Sequence, residues 1–331
     1  MSSSSACICV YLRLIGFSVF IHVLCPSAAS AQSGFPSRPV RLIVPVAPAG
    51  AADITARLLA LKLTDAWGQP VIVDNRGGAA GNAGAEIAAR SAPDGYTLVL
   101  PSTSFPSNVS LYRRLPFDTA KDFAPIVLAV TAPNVLVVNP SLPVKSVKDL
   151  VALAKARSGQ LNFASSGHGS SAHLSGELFK KMAGVDMVSI TFKGGGPALI
   201  AVISGEVQLQ FPTLAAANPH VRSGKLRQLG VTTAQRLAEA PDLPTVAESG
   251  LPGFNVVPWF GLFGPAGTPA AIVAQVNREV VKILKAPDTR QALVAQGLFP
   301  GGGTPQELGA FLRADIAKWA KVIQDAGIRQ E

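Results

Sequence analysis

The residues of this chain whose types and spacing could do chemistry are small ones gathered in loops. Pro45-Val46-Ala47-Pro48-Ala49-Gly50-Ala51-Ala52-Asp53 leads from an apolar run through a small-residue loop into a stretch with helical spacing. At the carboxyl end of a strand in an α/β sheet, such a loop faces the crevice where ligands bind. The N–H groups of the following helix start then form an anion site. A plain tight turn is the commoner use of such a loop, and the residues alone leave both uses open. Ser165-Ser166-Gly167-His168-Gly169-Ser170-Ser171-Ala172-His173 has the same setting. Its glycines and hydroxyls offer backbone N–H and O–H donors to ligand oxygens, while Ser170 or Ser171 equally serves as a helix cap. On the binding reading, Gly169→Val should abolish capture, because a branched side chain would fill the backbone cradle.

Two further glycine loops carry weaker signals. Phe192-Lys193-Gly194-Gly195-Gly196-Pro197 resembles a phosphate loop only superficially, since Lys193 precedes its glycines and that motif needs Lys then Ser or Thr after them. Gly77-Gly78-Ala79-Ala80-Gly81-Asn82-Ala83-Gly84 does not match the dinucleotide fingerprint from any start. It reads as a close-packed helix start, mostly structural. His168 and His173 have no Cys, Asp or Glu nearby at metal-ligand spacing, so no zinc site is expected. The G-x-S-x-G order of a nucleophile elbow is absent. The candidate loops contain a single acid, Asp53, and no paired carboxylates. Binding without catalysis, cofactor or metal is the reading these residues favour.

The elements that position these loops alternate β and α. Strands are expected at 40–46, 71–73, 96–100, 161–164, 188–192, 207–211 and 226–231. Helices are expected at 52–67, 81–90, 146–157, 171–183 and 197–204. Such alternation argues for parallel βαβ units covered on both faces. Thr268-Pro269 and Thr304-Pro305-Gln306-Glu307 open two closing helices, at 269–285 and 305–326. The Pro- and Gly-rich stretch 241–265 reads as the chain crossing from one lobe to the other, with an earlier crossing near 130–140.

Bulk composition agrees with an α/β chain. Hydrophobic residues make up 48% and charged ones 15%, with 31 Gly and 26 Pro, which supplies core material and many tight connections. Arg13, the apolar run 14–25 and Ala29-Ser30-Ala31 read as an export leader cleaved after Ala31. All three cysteines (Cys7, Cys9, Cys25) fall inside it, so the mature chain would be free of disulfides and thiolate ligands, which suits an oxidising compartment. Losing Arg13 takes the formal charge from +9 to +8. Lys and Arg never cluster beyond pairs such as Arg113-Arg114. Such dispersion favours solubility or attraction of anionic solutes, and no nucleic-acid partner is expected.

In order along the chain stand Arg38-Pro39-Val40-Arg41-Leu42-Ile43-Val44-Pro45, Asp74-Asn75-Arg76-Gly77-Gly78-Ala79-Ala80-Gly81-Asn82 and Ala92-Pro93-Asp94-Gly95-Tyr96-Thr97-Leu98. Lys121-Asp122-Phe123-Ala124-Pro125-Ile126, Ser166-Gly167-His168-Gly169-Ser170 and Phe192-Lys193-Gly194-Gly195-Gly196-Pro197 follow. Last come Leu243-Pro244-Thr245-Val246-Ala247-Glu248, Trp259-Phe260-Gly261-Leu262 and Pro265-Ala266-Gly267-Thr268-Pro269. Together they resemble the substrate-binding proteins of tripartite tricarboxylate transporters, the TctC or Bug family, over nearly the whole mature chain.

The resemblance implies an α/β, two-lobed periplasmic binding fold of type II-like form, each lobe a mostly parallel sheet flanked by helices, joined by two crossings. The expected division is leader 1–31, first lobe 32–133 plus 254–331, and second lobe 134–253. Implied contacts with a small organic acid are Val46, Ala49, Gly50, Ala51, Ala52 and Asp53 in the first loop, and Ser102, Thr103 and Ser104 in a third region. Ser166, Gly167, His168, Gly169, Ser170, Gly195 and Pro212 complete the set. The partners implied are a carboxylate ligand and the membrane subunits of a tripartite tricarboxylate transporter, or a sensor kinase, served by a monomer. The chain departs from the family pattern at Val46, Ala49, Ala52, Phe192 and Pro212, changes that dry or widen the pocket. A hydrolase or isomerase on the same scaffold, or an accessory binding protein, is the alternative.

Overall fold

A computed structural model describes residues 34–327 except Ala47, Ala49, Glu239 and Ala326. The leader, its cysteines and the cleavage position therefore lie outside the described residues. From Phe35 onward the chain forms one compact unit. It runs β1 (Val40–Val44), α1 (Ala51–Trp67), β2 (Val71–Asn75), a 3₁₀ turn (Ala79–Gly81), α2 (Asn82–Ala89), β3 (Thr97–Val99), α3 (Ser104–Leu111) and β4 (Phe123–Thr131). A second group follows: β5 (Val135–Val138), α4 (Val147–Ala156), β6 (Asn162–Ser165), α5 (Ser171–Ala183), β7 (Val188–Thr191), α6 (Gly195–Ser204), β8 (Leu209–Gln210), α7 (Leu214–Arg222) and β9 (Arg227–Val231). The chain then returns through β10 (Trp259–Pro265), α8 (Ala270–Lys285), α9 (Pro287–Ala295), β11 (Phe299–Gly302) and α10 (Pro305–Asp325).

Two sheets result, ordered β11-β4-β10-β3-β1-β2 and β7-β6-β8-β5-β9. They are mixed, a correction to the mostly parallel sheets expected from βα alternation. Strands joined through helices, such as β1 with β2 and β3 or β6 with β7 and β8, pair parallel. The strands by which the chain enters and leaves the lobes pair antiparallel: β10 with β3 and β4, and β5 with β8 and β9. Trp259–Pro265, expected within a crossing, is instead a strand buried along its full length. Its alternation is hidden because both faces are covered.

In the first lobe, α1 turns Ala52, Ala56, Leu59, Ala60 and Leu63 inward, and α8 turns Val276, Val280, Ile283 and Leu284. Both rows follow the helical period and join Leu42, Val44, Val127 and Val130 of the sheet in one core. The helix α1 stops at Gly68, whose left-handed φ of 65° returns its N–H to the Thr64 carbonyl. The crossing segments are bonded to each other: Ala132 N–H donates to Pro258 O, and Thr232 N–H and Oγ1 donate to Asn134 O. Leu111 of α3 and Trp319, Val322 and Ile323 of α10 belong to the second lobe's core with Leu136, Phe163 and Phe179. No helix among the described residues is long and apolar enough to cross a membrane.

Candidate functional site

A cleft of about 1110 Å³ is lined by loops of both lobes. The first lobe supplies Pro45, Val46, Pro48 and Gly50–Ala52 at the start of α1, Gly77, Gly78, Ala80 and Gly81 before α2, and Ser102–Ser104 at the start of α3. From the second come Ser166–His168, Ser170 and Ser171 at the start of α5, Gly194–Gly196 at α6, and Thr213 before α7. Ala132, Pro258 and Phe260 add apolar surface from the crossings and β10. No Lys, Arg, Asp or Glu is among these described lining residues, and His168 is their one titratable side chain.

Helix N-termini thus replace charged side chains. Several helices carry no side-chain cap there: the N-cap residue is Gly50 for α1, Gly81 for α2 and Gly194 for α6. Thr103 precedes α3, but its hydroxyl accepts the Trp259 N–H at 3.0 Å instead of capping. First-turn N–H groups and the positive dipole end therefore meet whatever occupies the cleft. By contrast, Ser170 Oγ accepts the His173 N–H at 3.2 Å and Thr213 Oγ1 accepts that of Ala216 at 3.4 Å. Of these two caps, that of Ser170 was readable in its residue type.

Beneath the α5 loop, the His173 Nδ1 accepts the Gly169 N–H at 3.2 Å. Its ring meets the His168 ring edge to face, centroids 5.3 Å apart. Burial, with His168 and Lys180 nearby, pushes the His173 imidazole down to about 4. The ring is neutral at pH 7 and stays an acceptor. On the opposite wall, Ala79 and Ala80 adopt left-handed φ values of 46° and 53°, a strained state for alanine. Ser104 Oγ and Asn108 Nδ2 donate to the Ala80 carbonyl at 3.0 and 3.1 Å and hold this turn.

Val46, Gly50, Ala51, Ala52, Ser102, Thr103, Ser104, Ser166, Gly167, His168, Ser170 and Gly195 line the cleft. Ala49 lies outside the described residues. Asp53, Gly169 and Pro212 are not in the lining. Asp53 is buried and accepts from Arg57 Nε at 2.9 Å and Asn75 Nδ2 at 3.0 Å, bracing α1 against β2. The Pro212 carbonyl accepts the Val135 N–H at 2.9 Å, and its neighbour Thr213 faces the cleft instead. Gly169 sits under the loop at φ 71°, and a Cβ there would come 2.5 Å from Leu111 Cδ1. A valine would thus strike α3, so the reason expected for its effect is corrected from a filled cradle to a clash below it. Gly77, Gly78, Ala80 and Gly81, mostly structural on their sequence, line the wall; glycines at three-residue steps were the available signal. Thr213, Pro258 and Phe260 had no signal beyond their place near crossings. Among the described residues no cluster could hold a metal ion.

The chain matches the family described as the tripartite tricarboxylate transporter family receptor over residues 55–328. It is 38% identical over 320 residues to the protein BugT of Bordetella pertussis (strain Tohama I), covering 96% of this chain and 98% of that one. A similar solved structure is Rpa4515 of R. palustris with adipate: TM-score 0.80, 39% identity, 89% of this chain and 100% of that one. MatC of Rhodopseudomonas palustris with bound malate has TM-score 0.76 and 33% identity, over 87% of this chain and 100% of that one.

Proposed function

Because the chain belongs to the tripartite tricarboxylate transporter receptor family, TctC, whose members are periplasmic solute-binding receptors, we propose that its cleft captures a small carboxylate-bearing solute for a transporter of that class. One observation carries this reading: helix starts of both lobes face a cleft whose described lining residues include no Lys, Arg, Asp or Glu. A carboxylate at α1 and another acceptor at α5 or α6 would draw the lobes onto one ligand through backbone N–H groups. The acids in the related structures, adipate and malate, support that chemistry. Val46, Pro48, Ala51 and Ala80 present apolar surface to the cleft, with the edge of Phe260 behind them, so the favoured body of the acid is apolar and unhydroxylated. Export to the periplasm, a monomeric state and release to membrane subunits belong to the same proposal. So does the absence of turnover.

Thermal shift with mono-, di- and tricarboxylates, aromatic acids and amino acids tests it. A ligand at a hundred times its Kd adds about 2.7 kcal/mol of stability, which such a scan resolves. If no acid raised the melting temperature, the reading would fail. Chemical change in a bound acid, seen by mass spectrometry after incubation, would overturn the non-enzymatic part.

A further inference from the structure

Beside the cleft lies a second cavity of about 10 Å³, whose lining includes Gly81, Asn82, Pro101, Ser102, Ser104 and Asn108. Because that volume is the space open to the centre of a water-sized sphere, one water molecule fits. Ser102, Ser104 and Gly81 line both spaces. Asn108 is 1% exposed. Its Nδ2 is occupied, donating to Ala80 O at 3.1 Å and to Asn82 Oδ1 at 2.7 Å. Its Oδ1 is buried and has no hydrogen-bond partner among the described residues. A buried amide oxygen with no donor is destabilising, and native proteins meet such groups with ordered water.

We propose that one water molecule occupies this chamber, donating to Asn108 Oδ1 and to Ser104 Oγ, and that it frees the Ser102 hydroxyl to bind ligand. Proton accounting supports the second half, since a Ser104 oxygen that accepts from the water keeps a donor when the Ser102 hydroxyl turns away. Ser104 Oγ gives its single hydrogen to Ala80 O at 3.0 Å and lies 3.0 Å from Ser102 Oγ. The bond between the two serines therefore uses the Ser102 hydrogen, and Ser102 turns only lone pairs to the cleft. Lone pairs repel a carboxylate. With the water's second hydrogen on Ser104, Ser102 can rotate its own toward a ligand oxygen while Ser104 keeps a donor. Asn108 then serves two purposes: its nitrogen fixes the strained turn at Ala80, and its oxygen anchors the water behind the serine pair.

This relay rests on the carboxylate reading; occupancy of the chamber does not. Crystal structures of the protein alone and with adipate test both. The expected result is one water within hydrogen-bond distance of Asn108 Oδ1 and Ser104 Oγ in each, with Ser102 Oγ bonded to the acid in the second. An empty chamber, or one entered by a ligand oxygen, overturns the water and leaves the carboxylate reading standing. A filled chamber in a protein that binds no acid overturns that reading and the relay with it. Ser102→Ala should weaken adipate binding about tenfold, and Asn108→Leu by a similar factor. Joined, the two should cost no more than either alone. Fully additive losses would show Asn108 acting through the turn and would overturn the relay; if Asn108→Leu does not fold, the crystals decide.

Discussion

The two walls of the cleft solve the same problem with different chemistry. On the first lobe, Gly50, Gly81 and Thr103 leave α1, α2 and α3 without side-chain caps, beside apolar Val46 and Ala51. On the second, Ser170 and Thr213 spend their hydroxyls capping α5 and α7, and a buried neutral His173 props the loop from below. Of the second wall's helices, only α6, with Gly194 at its N-cap, resembles the first wall. Uncapped starts hold N–H groups ready for an anion, whereas capped starts have settled part of that need within the protein. The first wall should therefore dominate affinity and the second should dominate the stability of the loop it carries.

The largest effect that could break this contrast is Gly50→Asp. Gly50 has extended backbone, φ −87° and ψ 173°, and a Cβ there meets nothing within 4 Å. Aspartate is a good N-cap, worth a few tenths of a kcal/mol over glycine, so the fold should be unharmed or slightly stabilised. The same carboxylate would occupy the anion position at α1, and like charges cost several kcal/mol. Titration calorimetry should show adipate affinity falling about a thousandfold, roughly 4 kcal/mol. Retained affinity would move the anion site off this wall.

Next in size is the pH response of the second wall. His173 is held down to about 4 by burial, with His168 and Lys180 adding to it, against ~6.5 in an unfolded chain. The unfolded state thus binds more protons between pH 6.5 and 4. Stability is whole above that window and falls as pH drops through it, by at most about 3 kcal/mol. Urea unfolding at stepped pH checks this. His173→Asn, which keeps an acceptor for the Gly169 N–H, should flatten the slope; an unchanged slope would place the effect in another group.

Ser170→Ala should cost about 1 kcal/mol of stability through the lost cap. It should leave adipate affinity within about threefold, because that hydroxyl already serves the His173 N–H. A tenfold loss of affinity with unchanged stability would reverse the assignment of the two walls.

What the sequence disclosed follows the same division. Ser170 caps a helix spanning Ser171–Ala183, as its type and position indicated, because an N-cap is a local interaction. The loop before α1 was legible from the change of hydrophobic period. Helix α3 was not: Ser104-Phe105-Pro106-Ser107-Asn108-Val109-Ser110-Leu111 has weak helical propensity. It is held by residues distant in sequence, Phe105 packing on Phe117, Phe123 and Phe263, and α10 lying alongside. The left-handed Ala79-Ala80 pair is equally silent, since its support comes from Ser104 and Asn108. The place of Asp53 in a candidate loop suggests a ligand contact, while its direction toward Arg57 and Asn75 depends on the packed sheet.

The finest test of the contrast concerns the ligand's body. Val46 lies on the first wall, half-buried, beside the uncapped start of α1. Its isopropyl group offers an acid's chain no hydrogen bond, so an unhydroxylated chain loses nothing there and a hydroxylated one goes unsatisfied. Val46→Ser exchanges that apolar surface for a hydroxyl without adding charge. The ratio of malate to adipate affinity should rise about threefold to tenfold, the size expected when one neutral hydrogen bond replaces a small apolar area. Calorimetry with both acids reads that ratio directly. Because the anion position proposed at Gly50 is untouched, both acids should still bind; an unaltered ratio would mean that the chain of the acid rests on the Pro258 and Phe260 side instead.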